Sequence, residues 1–335
     1  MLVKNGVLVR VSQEDLSFGE VQIPGDVKWI GPEAFSHLSA LKRITIPGSV
    51  KVIQAHAFEF CDALESVTIR DGVLMIKDFA FEGCNALRNV VLPNTLSILG
   101  DSVFRNCRNL LNVVLPGNLV QMGKGVFEFC TRLEKGNIPK LILELPDSTF
   151  SNCYNLKAIT FESDLQVVGA YAFLKCQNLL EVPFPDSVYE IKECAFKACQ
   201  ELRQFTLPSS IESIDKRTFE DCDNLSHVMV PVALLDLERF CKKEENGSEE
   251  TFEDYETSYE QIESEREQDS IENNESATEY SNESFEDVND VDNRVVDEND
   301  GFSVGSSMTA DDNFATIPYG NEDDEDALGS AFLSE

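Results

Sequence analysis

The chain has 335 residues and a formal net charge of −34, from 61 acidic against 27 basic side chains. That balance argues against nonspecific nucleic-acid binding and against attachment to an anionic membrane surface. The acid is unevenly placed: residues 242–335 hold 31 acidic and 4 basic residues, net −27, which leaves net −7 on residues 1–241.

The first residues lack the long apolar run of a secretory signal, and no stretch reaches the length of a membrane-spanning helix. A soluble intracellular protein is therefore expected, cytoplasmic first, nuclear second and at the cell surface last. Residues 1–22 read as an N-terminal cap, with a strand over 6–11 and a polar turn over 15–20.

From there a phenylalanine recurs every 23 residues: Phe35, Phe58, Phe81, Phe104, Phe127, Phe150, Phe173, Phe196 and Phe219. Three residues after each comes Leu38 or a cysteine: Cys61, Cys84, Cys107, Cys130, Cys153, Cys176, Cys199 and Cys222. A leucine follows three further on, from Leu41 to Leu225. An unslipped period of this length is the signature of a solenoid whose units stack in one register. Within a unit, residues 41–46 alternate, so a strand is expected with Leu41, Ile44 and Ile46 inward and Lys42, Arg43 and Thr45 outward. Pro47 lacks an N–H and should end the ladder. Ala57, Phe58, Cys61 and Leu64 fall at helical spacing, which predicts one or two short helical turns on the far side. Nine such units span residues 23–231.

The strand pattern Leu-x-x-Ile-x-Ile resembles that of leucine-rich repeats. The longer run from Ile46-Pro47-Gly48-Ser49-Val50 through Ala57-Phe58 and Cys61 to Ile69 resembles the BspA-like subfamily. That resemblance implies a leucine-rich-repeat solenoid, with a parallel β-sheet on one face and short helical turns opposite. It also implies surface or adhesion proteins as relatives, a habit that the missing signal does not match.

Register gives the outward strand positions. Six are basic: Lys42, Arg43, Arg88, Lys135, Lys157 and Arg203. Three are acidic: Glu65, Glu134 and Glu181. The face is thus net +3 on an acidic body. Val91, Leu111 and Val114 add a small apolar patch. These positions form the candidate recognition surface for an extended or protein ligand; an ordinary solvated sheet is the plainer alternative. Gly136 takes the inward position held elsewhere by Ile44, Val67, Val90 and Val113, so a local weak point is expected there.

The eight periodic cysteines read as a buried, reduced column and not as disulfides. Equivalent positions in adjacent coils lie about 4.8 Å apart with parallel side-chain vectors, which is poor disulfide geometry. Cys194 and Cys241 fall outside the column, and Cys241 is expected to be the exposed thiol. His37, His56 and His227 are the only histidines and no Cys-x-x-Cys occurs, so neither a metal site nor a cofactor is expected. No poised nucleophile or phosphate-binding loop points to catalysis.

Residues 232–243, with Leu234, Leu235, Leu237 and Phe240, read as a capping helix. Residues 244–335 read as a disordered acidic tail: from 242 onward only 15 of 94 residues are Leu, Ile, Val or Phe, too few to bury a core. Within it Phe252, Tyr255, Tyr259 and Ile262 would form one apolar stripe of a helix, a candidate docking motif. Charge also allows an intramolecular contact of the tail with the basic strand face. The combined expectation is a non-enzymatic scaffold that binds a protein partner through its exposed strands. A surface protein exported without a recognisable signal and a regulatory subunit of an enzyme complex stand as alternatives.

Overall fold

A computed structural model describes residues 1–162 and 164–231, together with the backbone of one further strand at 314–318. The chain divides into two compact units, Met1–Lys242 with Asp311–Glu335, and Lys243–Ala310. All described residues belong to the first. The expected capping helix at 232–243 and the tail motif Phe252, Tyr255, Tyr259 and Ile262 lie outside the described residues.

The repeats wind into a parallel β-solenoid. Most of the alternating segments form a long strand, such as Arg43–Ile46, Ser66–Ile69 and Asn89–Val91. Equivalent residues pair at offsets of one repeat: Ile44 with Val67, and Val67 with Val90. The expected inward residues are buried and the expected outward ones are not. After the strand the proline opens a turn, its carbonyl accepting from the residue three on: Val50 N–H to Pro47 at 3.0 Å, Leu119 N–H to Pro116 at 3.1 Å.

A second, two-residue strand follows, which the sequence reading did not anticipate. Trp29–Ile30, Val52–Ile53, Met75–Ile76, Ile98–Leu99 and Gln121–Met122 pair in parallel. Glu144–Leu145, Val167–Val168, Glu190–Ile191 and Ser213–Ile214 continue that face as a separate sheet. At the N-terminal end Val7–Arg10, in a hairpin with Leu2–Lys4, pairs with Trp29–Ile30 and buries Leu8 fully.

The far side differs from expectation in one respect. Among the described residues the only helix is a 3-10 turn at Gln13–Asp15. The Phe segments are tight turns instead. From Phe35 to Phe196, the residues two before and two after the Phe sit in the left-handed region: His56 (φ 57) and Phe60 (φ 51) flank Phe58, and Ser148 (φ 55) and Asn152 (φ 58) flank Phe150. A left-handed residue every fourth position breaks an α-helix. What replaces it is a hydrogen-bond ladder between repeats. The Phe35, Phe58 and Phe81 N–H groups donate to Ala57, Ala80 and Val103 carbonyls at 2.8, 2.7 and 2.9 Å. The spacing of apolar side chains was right; the backbone that supplies it is not helical.

Ala198 occupies one such left-handed position, with φ 59. An alanine there carries a strain that glycine would not. Ala198→Gly is expected to stabilise the protein by about 0.5–1 kcal/mol, read as a higher denaturant midpoint at unchanged slope.

The Phe rings form a continuous stack, with neighbouring centroids 4.4 Å apart for Phe35–Phe58 and 5.8 Å for Phe104–Phe127. Beside it runs the cysteine column. Each thiol donates to the Phe carbonyl of the preceding repeat, Cys61 to Phe35 at 3.0 Å and Cys222 to Phe196 at 3.1 Å. This gives a reason for cysteine in the column that packing alone does not: a small apolar group that adds a weak second donor to a buried carbonyl already bound by a backbone N–H, as Phe35 is by Leu38.

Two prolines interrupt the sheets. In the short-strand face Gln54, Lys77, Gly100 and Gly123 donate to the carbonyl of Ile30, Ile53, Ile76 and Leu99. Pro146 holds the next register position and has no N–H, and the seven-stranded sheet stops at Gln121–Met122. In the long-strand face Pro183 falls inside the segment that should pair next to Ala158–Phe161, and no strand forms there. The long strands therefore make three sheets.

Gly136 does not leave the void its missing side chain implied. A Cβ there would lie 2.9 Å from Ile159 Cδ1 and 3.2 Å from the Phe150 ring, so neighbours already fill the space. The irregularity lies in hydrogen bonding. Asn137 turns its side chain to the Leu115 backbone, accepting from its N–H at 2.9 Å and donating to its carbonyl at 3.0 Å. Between Asn89–Val91 and Lys135–Ile138 the long face is carried only by isolated bridges through Asn112.

Candidate interaction surface

The outward positions of the long strands form rows perpendicular to the strands. Arg43, Ser66 and Asn89 pair directly, bridges carry the row to Asn112 and Lys135, and Lys135 pairs with Ala158. Two positions on, Thr45, Thr68 and Val91 form a parallel row. The scaffold beneath is the buried Phe stack, so the side chains on this face sit on a rigid support.

The structure brings most of the predicted surface residues together. Val91 is 56% and Val114 75% exposed, on adjacent repeats. Leu111, expected beside them, is half-buried. Leu180, whose outward position went unused, is 52% exposed further along. All six basic residues are exposed.

The count of net +3 needs correction, because acids outside the counted positions engage two of these bases. Arg43 binds Glu20 at 2.7 Å, and Arg203 lies 3.6 Å from Glu201. Lys157 lies 3.5 Å from Glu134 on the same face. Such exposed pairs add about 0–1 kcal/mol of stability each, but they do neutralise the face locally. Lys42, Arg88 and Lys135 form no ion pair among the described residues. They are the charges free to meet a ligand, and Arg88 and Lys135 bracket the Val91–Val114 patch in sequence.

A second exposed row went unread in the sequence. The residue sixteen after each Phe from Phe58 to Phe173 runs along the edge of the short-strand face: Leu74, Ser97, Val120, Leu143, Gln166 and Tyr189. Backbone hydrogen bonds join Leu74, Ser97 and Val120, and separately Leu143, Gln166 and Tyr189, as in Ser97 N–H to Leu74 and Tyr189 N–H to Gln166. Leu74, Val120, Leu143 and Tyr189 are exposed. The same 23-residue register that located the basic residues would have found them.

One cluster of charge is buried. Arg105 sits between Glu82 and Glu128, its equivalents in the flanking repeats, at 2.7 and 2.9 Å, with its guanidinium over the Phe129 ring at 5.6 Å. Burial opposes the Arg105 charge, but Glu128 and Glu82 outweigh it and hold the pKa above its usual value. This triad links three consecutive repeats and faces no open surface.

The nine described cysteines are free and buried. That includes Cys194, which lies outside the column yet is only 4% exposed. Burial pushes the Cys194 thiol up to about 11 and those of Cys61 and Cys222 up to about 12. The thiolate is the reactive form, so alkylation of the native protein at neutral pH should spare all nine and be restored by denaturant. Fast native labelling of any of them, followed by peptide mapping, would contradict this packing. Cys241 lies outside the described residues. Among the described residues no group of His, Cys, Asp and Glu could hold a metal ion, and no helix is long and apolar enough to cross a membrane.

Comparison with known proteins bears on the fold. The family model for the BspA type leucine rich repeat region matches residues 13–134 and 143–260, in six copies. The chain is similar to a leucine-rich repeat protein from Bacteroides ovatus ATCC 8483, at 33% identity and a TM-score of 0.59, covering 64% of this chain and 55% of that one. The chain thus spans little more than half the length of that relative. It is also similar to the T. pallidum leucine rich repeat protein (31% identity, TM-score 0.46, 48% and 77% covered). A leucine rich cell surface protein from Faecalibacterium prausnitzii A2-165 is a more distant match (22%, 0.33, 62% and 78%). No curated protein matches.

Proposed function

The chain belongs to the BspA type leucine-rich repeat family, and from that premise we propose that it is a non-enzymatic scaffold that binds a protein partner through the outward face of its long strands. The observation that carries this reading is the Val91–Val114 pair. Two β-branched side chains stand exposed on neighbouring repeats, with the exposed bases Arg88 and Lys135 near them and a stacked core beneath. A polar or charged residue at either position would serve solubility better; an apolar pair rimmed by charge suits the centre of an interface. Repeats present such a surface at low cost, since each unit adds area without changing the core.

The test is capture of partners from native lysate by the full chain and by the Val91→Asp/Val114→Asp variant. Both positions are outward, so circular dichroism and the unfolding midpoint should be unchanged. The variant is expected to lose at least about tenfold of the wild-type capture, as for a central interface contact. Undiminished capture by the variant sinks the strand-face assignment. Arg88→Glu should act more weakly, and mostly at low salt, because a rim charge chiefly alters association rate. The acidic tail is a competing ligand for Lys42, Arg88 and Lys135 under this reading, weak at physiological ionic strength for the same reason.

A further inference from the structure

The solenoid ends on the strand His227–Pro231, which pairs in parallel with Gln204–Thr206 on one side. Among the described residues no further repeat covers its other edge. That edge is instead met by Phe314–Pro318, far along the acidic tail, running antiparallel. The register is continuous over five pairs, from His227 with Pro318 to Pro231 with Phe314. The sequence of this segment, Phe-Ala-Thr-Ile-Pro, ends in the same Thr-Ile-Pro as the first long strand, Arg43-Ile-Thr-Ile-Pro47. Residues 244–335 read as a disordered tail in sequence; these five residues depart from that expectation.

We propose that the free edge of His227–Pro231 is a peptide-docking site of the strand-addition class, that Phe314–Pro318 of the same chain is its tethered occupant, and that the tether keeps the site closed to other extended peptides. The backbone geometry defines what the site recognises. Met229 faces the preceding strand, where its carbonyl accepts from Leu207 N–H at 3.0 Å. Backbone groups alternate sides along a strand. The amides and carbonyls of Val228 and Val230 therefore point to the free edge. Their register partners are Ile317 and Ala315, which makes these the hydrogen-bonded pairs, while Thr316 turns its amide away. An uncovered edge of this kind is a template for any extended chain, and an antiparallel addition tolerates proline only at its ends, where Pro231 and Pro318 stand. Residues 232–313 connect the two strands, so the tether acts through effective concentration and not through a tight turn.

The experiment uses the full chain and Ala315→Pro, which removes the amide opposite Val230. In the wild type the Val228 and Val230 amides should be protected from hydrogen exchange. That protection should be the same from about 1 to 100 μM protein, because an intramolecular occupant near millimolar effective concentration does not depend on dilution. In Ala315→Pro it should fall at least tenfold, while Val67 and Val90 amides remain unchanged as a control for folding. A fluorescent peptide spanning residues 311–321 should bind Ala315→Pro at least tenfold more tightly than wild type. N-methylation of the peptide at Ala315 or Ile317 should abolish binding, and at Thr316 should not. Unprotected Val228 and Val230 in the wild type, or peptide binding indifferent to the position of the N-methyl group, overturns the proposal. Protection that rises with protein concentration assigns the occupant to a second copy and overturns the tethered form.

Discussion

Replacing Phe127 with alanine should destabilise the protein by about 3–5 kcal/mol, the usual loss for a large core aromatic. The ring is 2% exposed and lies between Phe104 and Phe150 at 5.8 and 5.5 Å, nearly parallel to both. Alanine keeps the backbone bonds, Phe127 N–H to Thr149 at 3.0 Å and Cys153 thiol to the Phe127 carbonyl at 3.1 Å. The loss is thus confined to apolar burial, the stacking of two ring pairs and the cavity left behind. In an array of nearest-neighbour contacts a central cavity need not lower one transition; it can separate two. Trp29 is the only tryptophan and sits in the first repeats, so its fluorescence reports the N-terminal flank, while far-ultraviolet circular dichroism reports the whole. The two denaturation curves should coincide in the wild type and diverge in Phe127→Ala. Coincident curves at the wild-type midpoint would remove Phe127 from the stack.

Arg105→Met is the second large effect, and it acts through charge. The substitution removes the cation that binds Glu82 at 2.7 Å and Glu128 at 2.9 Å, leaving two carboxylates that are 1% and 2% exposed. Breaking a buried pair from one side costs about 3–5 kcal/mol. The pH dependence carries a sign. A buried carboxylate without its cation has its folded-state pKa raised above the unfolded value. Its contribution is favourable at low pH and is lost as pH rises through the folded pKa. The deficit of Arg105→Met should therefore be full at neutral pH and shrink as the two acids take up protons. The triple variant Arg105→Met, Glu82→Gln, Glu128→Gln should recover part of the loss and show no such slope. A deficit independent of pH would mean that Arg105 stabilises by packing on Phe129 alone.

The 23-residue register made most of this fold legible before any coordinates. It located the Phe stack, the buried cysteines and the inward and outward faces of every long strand, because each depends on one side chain per repeat in a fixed place. It mis-stated the far side, since Ala57, Phe58, Cys61 and Leu64 have helical spacing whether the backbone between them is a helix or a pair of tight turns. Left-handed residues such as His56, Phe60 and Lys175 carry no compositional mark when they are not glycine or asparagine. The short strands were missed because two residues show no alternation. Pro146 and Pro183 went unread, although each falls where its repeat needs a donor. For the surface, register found Val91 and Val114; it also puts Glu20 one repeat before Arg43, but in sequence that segment reads as the polar turn of the cap, and Glu201 lies off the counted positions. The register placed Cys194 only outside the column, because its burial at a left-handed corner depends on the fold of the turn.

The interruptions at Asn112 and Pro146 fall close together along the axis and affect both sheets, while the Phe stack runs through without a gap. The turn-side ladder also continues there, Phe104 N–H to Val126 and Phe127 N–H to Thr149, so the coils stay joined along one edge where the two sheets are interrupted. Flexure should therefore concentrate near residues 112–146, between two stiffer arms. Val91 and Val114 lie on one side of that joint or at it, Lys135 and Lys157 at or beyond it. A partner that grips both sides would select one curvature from the range the free rod samples, so affinity would depend on the bend a ligand requires as well as on the side chains it touches.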